Sequence, residues 1–453
     1  MAVIGMLLLG VISDAQSLEY SPIFRFVEVP SPLSGRNTTY PLVAEPLPAI
    51  GKPFPDYYFK TIKTRVTQTN GANGRHEYSR HDPFNCDQSM IVLLSDAGDW
   101  KMYRTRSMPY NTTANLVLTF PQQEPRWDRT NPRWLWALED FSIVRLDVVT
   151  GAKTTIKDFA GDTSMSAIIA TNPAWRITMK DEGEASVDRR YWAFILQGDG
   201  RVDYAPLYIF TWDRVQNKVL GIYHIAVNDR EIDWVGMSVL GNYVLVGGDP
   251  VNTGTLTGLM MADPPLRRFH KIAYATAHSD VGLDSSGKEV IAMQNSQTDY
   301  VDLIPIDWTT VSVNDPGQYP GSHCVPVIRL FYSALPYGLN SGVHVSCNYP
   351  GYAVVSTTIA PGLPDQNWLD RSIVLVKLDR ARPRVYYLAK IHNTTDTYWE
   401  ETHASITNDG RKVVWADNWG LNVGQEQMFL MKLDMPPNWE LFRTAADRWQ
   451  LYR

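Results

Sequence analysis

The chain has 453 residues, 11% of them aromatic, and carries a net charge of −6 at pH 7. An acidic balance without a basic run excludes the electrostatic surface by which proteins hold nucleic acids or anionic membranes, so neither is expected as a partner. The 15 tryptophans and 23 tyrosines predict extensive aromatic packing, with a surplus that suits sugar binding.

The first segment, 1–16, predicts a secretory signal peptide. It contains an apolar stretch followed by small residues at Ser13 and Ala15. This stretch is too short to anchor the chain in a bilayer, so we expect a secreted or periplasmic protein. The alternative is that residues 3–12 form a strand of the fold.

Residues 17–74 are rich in proline and precede the first clear repeat. We expect them to wrap the outside of the fold or to supply a strand that closes it. The last repeat shows only two clear strands, and the segment FRFVEV at 24–29 is the candidate to complete it.

From residue 75 onward, one phrase recurs: a short apolar strand that ends in aspartate before a turn. The copies end at Asp147, Asp213, Asp263, Asp307, Asp379 and Asp434, and a seventh fits at WKMYRTR with Tyr103 in place of the aspartate. A second β-prone phrase precedes each copy. Spacings of roughly 44 to 72 residues suit one four-stranded blade each. The pattern predicts an all-β, single-domain, seven-bladed β-propeller over 75–453; an array of β-sandwiches is the alternative.

Four of the nine histidines have related positions. His81, His344 and His403 lie at similar distances before the main strand of their repeats, and His278 lies two residues earlier than its equivalent, Asp280. Two residues are one side-chain period of a strand, so all four could face the central channel. With Cys347, the histidines of the last three blades form a candidate site for one divalent ion, zinc or calcium. A structural ion is as well supported as a catalytic one, and the alternative is hydrogen bonding to backbone groups.

The segment RHEYSRHDPFN supplies His76, Tyr78, Arg80 and His81. Imidazole, phenol and guanidinium groups together suit removal of a proton alpha to a carboxylate. Blade 3 offers a similar mixture, namely Glu182, Glu184, Arg189, Arg190 and Tyr191.

The loop HNTTDTYWEETH places Tyr398, Trp399 and Glu400 just before His403. An indole stacks on a pyranose face and a carboxylate accepts from sugar hydroxyls, so we expect substrate binding here and at Glu184. The alternative for Trp399 is packing between blades. The three cysteines allow one disulfide at most.

The phrases HxxxGLDxxGxEV, HVSCN...PGYAVVST and HASxTxDGRKVVWAxxWG resemble those of bacterial seven-bladed propellers of the ulvan lyase and oligogalacturonate lyase type. The resemblance implies β-elimination on a uronic-acid polysaccharide by a monomer. It also implies channel or metal contacts for the last three histidines, and chemistry by His81 with a tyrosine and an arginine. The first choice for that pair is Tyr191 with Arg190, and the second is Tyr78 with Arg80.

Two other functions remain open from the sequence. The first is a non-catalytic propeller that binds a glycan or a protein and holds a structural metal ion. The second is a glycoside hydrolase, which would need paired carboxylates across the channel, such as Glu182 or Glu184 with Glu400.

Overall fold

The computed structural model describes most of the chain. The described residues are 27–33, 37–69, 74–94, 99–276, 278–295, 298–312, 324–330, 343–357, 364–395, 397–421, 427–436 and 439–441. The predicted signal peptide at 1–16, and the alternative strand at 3–12, lie outside them. In the described ranges, no helix has the length and apolar character needed to cross a membrane.

The strands form seven antiparallel sheets, which confirms the predicted all-β, seven-bladed β-propeller. Three strands precede the ring, namely Val27–Glu28 (β1), Phe54–Pro55 (β2) and Ile62–Arg65 (β3). Blade 1 contains Met90–Leu94 (β4), Trp100–Arg104 (β5) and Leu116–Phe120 (β6), and blade 2 contains Gln123–Trp127 (β7), Trp134–Glu139 (β8), Ser142–Asp147 (β9) and Lys153–Asp158 (β10). Blade 3 contains Ala174–Thr178 (β11), Tyr191–Gly198 (β12), Pro206–Asp213 (β13) and Lys218–His224 (β14).

The remaining blades follow the same order. Blade 4 contains Ile232–Met237 (β15), Val244–Gly248 (β16), Leu259–Ala262 (β17) and Phe269–Ala273 (β18), and blade 5 contains Ser279–Leu283 (β19), Glu289–Asn295 (β20), Tyr300–Pro305 (β21) and Val325–Arg329 (β22). Blade 6 contains Val343–Ser346 (β23), Tyr352–Thr357 (β24), Ser372–Lys377 (β25) and Arg384–Lys390 (β26), and blade 7 contains Ser405–Ile406 (β27), Lys412–Asp417 (β28) and Phe429–Asp434 (β29). One short helix, Ser166–Thr171 (α1), and the 3-10 helices Gly200–Val202, Val227–Asp229, Tyr398–Glu400 and Trp439–Leu441 lie in the connections.

The repeated aspartate ends the third strand of its blade and shapes the turn that follows. The Asp147 carboxylate accepts from the backbone N–H of Val149 at 3.0 Å, and Asp213 accepts from that of Val215 at 2.8 Å. An aspartate that bonds the backbone two residues ahead forms an Asx turn, which reverses the chain. The same bond forms at Asp307 and Asp379, so the phrase recurs because blades 2, 3, 5 and 6 share this turn.

The core lies between neighbouring blades, where the faces of adjacent sheets pack together. Trp136 of blade 2 and Trp192 of blade 3 lie with ring centroids 5.8 Å apart, and both are buried. Burial of such large side chains supplies most of the stabilisation of the ring.

An N-terminal strand closes the ring, but it is not the segment FRFVEV. Strand β3 pairs with β29 and completes blade 7, with Thr64 opposite Lys432. Strand β1, which holds the end of FRFVEV, instead extends blade 6 by pairing with β26. Glu28 there forms an ion pair with Arg384 at 2.8 Å, which fixes that strand on the outer edge. The predicted identity of the closing strand is therefore wrong.

Candidate active site

Three histidines meet at one end of the central channel. The first, innermost strand of each blade begins at this end, which we call the upper end. His278 directly precedes β19, His344 lies in β23, and His403 precedes β27. Nδ1 of His278 lies 3.1 Å from Nδ1 of His344, and the rings of His344 and His403 are 4.1 Å apart. The imidazoles of blades 5, 6 and 7 are thus neighbours, as the sequence predicts.

Glu401 completes this group, and the sequence analysis missed it. Its carboxylate contacts Nε2 of His344 and lies 3.9 Å from Nε2 of His403. The ligand atoms that His344, Glu401 and His403 offer all lie within 4.8 Å of one another. Asp280 is the position in blade 5 that is equivalent to His403, and His278 lies two residues before it. Glu401 likewise lies two residues before His403, and this shared spacing is the signal that could have identified it.

Three members of this group, His344, Glu401 and His403, fit a divalent cation. Burial lowers the pKa of His344 to about 3 and that of His278 to about 4, so both rings are neutral, the form that binds metals. Nδ1 of His403 is buried, and among the described residues it has no hydrogen-bond partner. A buried ring nitrogen without a partner is costly unless something else occupies its lone pair or proton. We name His278, His344, Glu401 and His403 the histidine group.

Cys347 does not join the histidine group. It lies three residues after His344, so its side chain leaves the opposite face of the strand and packs in the hydrophobic cluster that contains Val343 and Val345. Burial raises the pKa of its thiol well above the ordinary value, which disfavours the thiolate that a metal requires. In the described chain, no disulfide joins Cys86, Cys324 and Cys347.

Two tyrosines lie against the histidine group. The ring of Tyr78 packs edge-on to His344 at 5.4 Å and lies 5.0 Å from that of His403. Tyr78 also stacks on Tyr398 at 6.5 Å, and the two phenols are hydrogen-bonded. Tyr78 is buried whereas Tyr398 is 44% exposed, so the pair connects the buried imidazoles with solvent.

Arg75 and His76 support the group from below. Nε2 of His76 lies 2.7 Å from the carbonyl oxygen of His403, a residue with the left-handed backbone angle φ of +44°. The buried Arg75 guanidinium donates to the carbonyl oxygens of His76 and Glu77. Burial lowers the pKa of Arg75 to about 10, so it keeps a positive charge near the group at neutral pH. His76 therefore positions His403 and does not itself face the channel.

Arg80 crosses the channel to blade 3. Its Nη2 lies 2.9 Å from a Glu182 carboxylate oxygen and donates to Oγ of Ser279 at 3.0 Å. Its guanidinium also lies over the ring of Trp234, 4.5 Å from the centroid. Arg80 and Glu182 line a cavity in the channel together with Arg129, Glu184, Asp280 and Asn348.

His81 contacts a different group from the other three histidines: its partners lie in blade 3, where Glu184 lines the channel cavity. Nε2 of His81 lies 2.8 Å from the carbonyl oxygen of Asp181, and Nδ1 lies 3.6 Å from the Glu184 carboxylate. The cause is a turn directly after β11, where Lys180 and Asp181 both have φ of +60°. This turn brings Asp181 and Glu184 within reach of His81.

Arginines surround Glu184. Its carboxylate lies 3.3 Å from Arg129, 3.6 Å from Arg189 and 3.9 Å from Arg126. Burial alone would raise the pKa of Glu184, but the arginines, Arg189 foremost, hold it well below its usual range. Glu184 is therefore an ionised carboxylate already paired with protein cations.

The structure does not bring Arg190 and Tyr191 to the histidine group. Arg190 forms an ion pair with Asp213 at 2.9 Å and lies over the Tyr191 ring. Tyr191 begins β12, the second strand of blade 3, and second strands begin at the lower end of the channel. Their catalytic role stays a prediction, and they lie apart from the other candidates.

Glu400 is buried and does not face the channel. It forms a capping box with Thr397, in which each side chain bonds the other's backbone N–H. Its neighbour Glu401 takes the position that the sequence analysis gave to Glu400. The side chain of Trp399 lies outside the described part of the chain.

Comparison with solved structures identifies the same fold in two lyases. The chain superposes on an oligogalacturonate lyase from Vibrio parahaemolyticus with a TM-score of 0.55 and 12% identity, covering 86% of this chain and 97% of that one. It also superposes on an oligogalacturonate lyase in complex with manganese, with a TM-score of 0.54 and 10% identity, covering 85% and 96%. No protein-family model matches the sequence, and no curated protein matches it. At this identity the likeness establishes the fold alone.

Proposed function

We propose that the protein is a secreted polysaccharide lyase that cleaves a uronic-acid polymer, ulvan-like in composition, by β-elimination with one divalent cation. The observation that carries this proposal is the convergence of three imidazoles and a carboxylate beside a tyrosine pair at the channel end. The fold is shared with two oligogalacturonate lyases, one of them in complex with manganese. Manganese is therefore the first ion to test.

β-Elimination requires three bonding changes at one sugar. The bond from C5 to hydrogen breaks, a double bond forms between C4 and C5, and the bond from C4 to the leaving oxygen breaks, with a proton added to that oxygen. When bound to the histidine group, a divalent cation would neutralise the uronate carboxylate and so make the C5 proton more acidic. The carboxylate would otherwise oppose formation of the carbanion-like intermediate.

The chain's own residues then have distinct tasks. Tyr78 contacts the histidine group and is hydrogen-bonded to Tyr398, so this pair is placed to exchange a proton between the sugar and solvent. Arg75 supplies fixed positive charge beside the site. Arg80 is held by Glu182 across the channel, where it can orient the polymer.

We place Glu184 and His81 outside the chemical step. The charge of Glu184 is already balanced by arginines, and His81 forms a hydrogen bond with the carbonyl oxygen of Asp181 in the turn after β11. Glu400, the second carboxylate required for the hydrolase alternative, is buried in its capping box. With Glu400 held in its capping box, neither Glu182 nor Glu184 has the second carboxylate that hydrolysis requires, so these contacts favour elimination.

An ultraviolet absorbance assay tests the proposal. The full chain with manganese chloride should release unsaturated uronate from ulvan or polygalacturonate fragments, seen as rising absorbance, and a chelator should abolish the rise. His344→Ala should be inactive whereas His224→Ala, on an exposed outer strand, should keep its activity. Reducing ends without absorbance would indicate a hydrolase, and binding without any product would indicate a glycan-binding propeller.

A further inference from the structure

A second candidate ligand site lies on the rim of blade 3. Trp175 is 44% exposed and Tyr204 is 50% exposed, and their ring centroids are 5.2 Å apart at 69°. Exposed aromatic rings that contact each other form an amphipathic surface on which a flat apolar face can stack. Tyr57 and Tyr398 are the other tyrosines that expose comparable area among the described residues.

The backbone holds Tyr204 out at an energetic cost. Asp203 and Tyr204 have φ of +55° and +53°, the left-handed region that costs non-glycine residues about 1 kcal/mol or more each. The turn needs Gly198 as well, because a Cβ there would lie 2.2 Å from Val202. These two residues and Gly198 therefore fix the turn that carries the Tyr204 ring outward.

Arg176 adds a positive charge against the Trp175 ring. Its guanidinium lies 4.5 Å from the Trp175 ring centroid and donates through Nε to Gln197 at 2.8 Å and through Nη1 to Gln123. Both acceptors are neutral amides, and in the described ranges no carboxylate forms an ion pair with Arg176. Gln197 also donates to the carbonyl oxygen of Tyr204 at 3.1 Å, so one amide fixes the arginine and the tyrosine loop together.

The topology places this surface on the same side of the ring as the histidine group. Trp175 lies in β11, the first strand of blade 3, close to the upper end where that strand begins. Tyr204 lies in the turn between β12 and β13, and turns between second and third strands return to the same end. A polymer that lies across the upper end could therefore contact both sites.

We propose that Trp175, Tyr204 and Arg176 form a remote subsite that binds a sugar ring of an acidic polysaccharide. One ring of the pair stacks on the pyranose face and the other, inclined at 69°, contacts its edge, while Arg176 attracts the carboxylate. The choice of an acidic polymer rests on the proposed function, whereas the inference that Trp175 and Tyr204 bind a sugar ring is independent of that function. The subsite would hold the chain while another segment occupies the histidine group.

Binding measured without cleavage separates the two proposals. Full-length Tyr78→Phe protein is titrated with polygalacturonate fragments and with ulvan, and affinity is compared with that of Tyr78→Phe variants that also carry Trp175→Ala or Tyr204→Ala. Each truncation should weaken binding by about three- to tenfold, the range for one aromatic contact. Tyr57→Ala removes an equally exposed ring elsewhere and should leave the affinity unchanged.

The charge is tested by Arg176→Gln, which should weaken binding to these polymers more at low salt than at high salt. Thermal melting of each variant confirms that it is folded. Unchanged affinity in both aromatic variants, or no binding of either polymer by the parent protein, would overturn the subsite. Loss of binding in these variants, together with no release of unsaturated uronate by the wild-type protein, would support the subsite and refute the lyase.

Discussion

Nδ1 of His278 lies 3.1 Å from Nδ1 of His344, and the two imidazoles come from neighbouring blades. Both rings are neutral because burial opposes their protonation. Two neutral rings at this separation either share one proton or turn their lone pairs toward a common cation. Glu401 contacts the other nitrogen of His344, Nε2, so a cation between this carboxylate and His344 lies on that side of the ring, and sharing one proton accounts for the Nδ1 pair.

Metal binding should therefore stabilise the fold. A ligand at 100 times its dissociation constant stabilises the native state by about 2.7 kcal/mol, so manganese chloride should raise the melting temperature and a chelator should lower it. His344→Ala should lose this response, whereas His224→Ala should keep it. Calorimetry and metal analysis of the two variants give the measurement, and an equal response in both would place the ion elsewhere.

Tyr78→Phe should lower kcat on a uronate polymer by about 100- to 10,000-fold, the usual contribution of a positioned acid or base. The substitution removes the hydrogen bond to Tyr398 and keeps the ring against His344. Manganese binding should be retained, which separates chemistry from metal loss. Tyr191→Phe is the matched control and should retain activity. If Tyr191→Phe lost activity and Tyr78→Phe kept it, Tyr191 with Arg190 would be the catalytic pair, as first predicted from the sequence.

Local chemistry explains which parts of the fold could be predicted. Asp147 accepts from the N–H of Val149, so the turn that repeats in blades 2, 3, 5 and 6 is visible within a few residues of sequence. The closing strand depends on contacts between distant segments: Lys63 of β3 lies opposite Leu433, near the other end of the chain. The local sequence favours the segment at 24–29, since β3 contains a single apolar residue, Ile62, and only its pairing with β29 identifies it as the closing strand.

The histidine group was predictable for a similar reason. His344 and His403 occupy equivalent positions in their repeats, and the ring converts equal positions into neighbours. His81 has the same position, but its side chain bonds the carbonyl oxygen of Asp181, in the turn after β11, and so lies apart from the other three. Glu400 and Glu401 are adjacent in sequence, and only the capping box decides which of them faces the channel.

Acid should destabilise the protein partly through His81. Burial, followed by Arg126, lowers its folded pKa to about 4, compared with about 6.5 in an unfolded chain. Between these pH values the unfolded state binds more protons than the folded state. The contribution of His81 to the free energy of unfolding is therefore fully present above about pH 6.5 and is lost as the pH falls toward 4. The predicted loss is about 3 kcal/mol at 1.36 kcal/mol per pKa unit. The Glu184 carboxylate 3.6 Å away partly opposes it.

Denaturant unfolding of the wild type and His81→Gln at pH 7, 6 and 5 measures this contribution. The variant should be less stable at pH 7 and should lose less stability on acidification. His224→Gln, at an exposed position, should follow the wild-type profile. Parallel profiles for His81→Gln and the wild type would mean that other buried groups carry the acid sensitivity.

Ring closure should depend on the ion pair between Asp56 and Lys63. Both side chains are fully buried, with 3.0 Å between carboxylate and ammonium, and Asp56 also accepts from the N–H of Lys390 in blade 6. Removing one partner of a buried pair leaves an uncompensated charge, so Asp56→Ala should lower the free energy of unfolding by about 3 to 5 kcal/mol. Lys153→Ala breaks an exposed pair with Glu139 and should cost less than about 1 kcal/mol.

The double variant Asp56→Leu with Lys63→Met tests whether charge is the cause. It removes both ions and replaces them with apolar side chains, so it should recover part of the stability that Asp56→Ala loses. Chemical denaturation of the three variants gives the comparison. If the double variant is as unstable as Asp56→Ala, the lost bonds from Asp56 to the backbone of Phe59 and Lys390 hold the closing strand, and the ion pair does not.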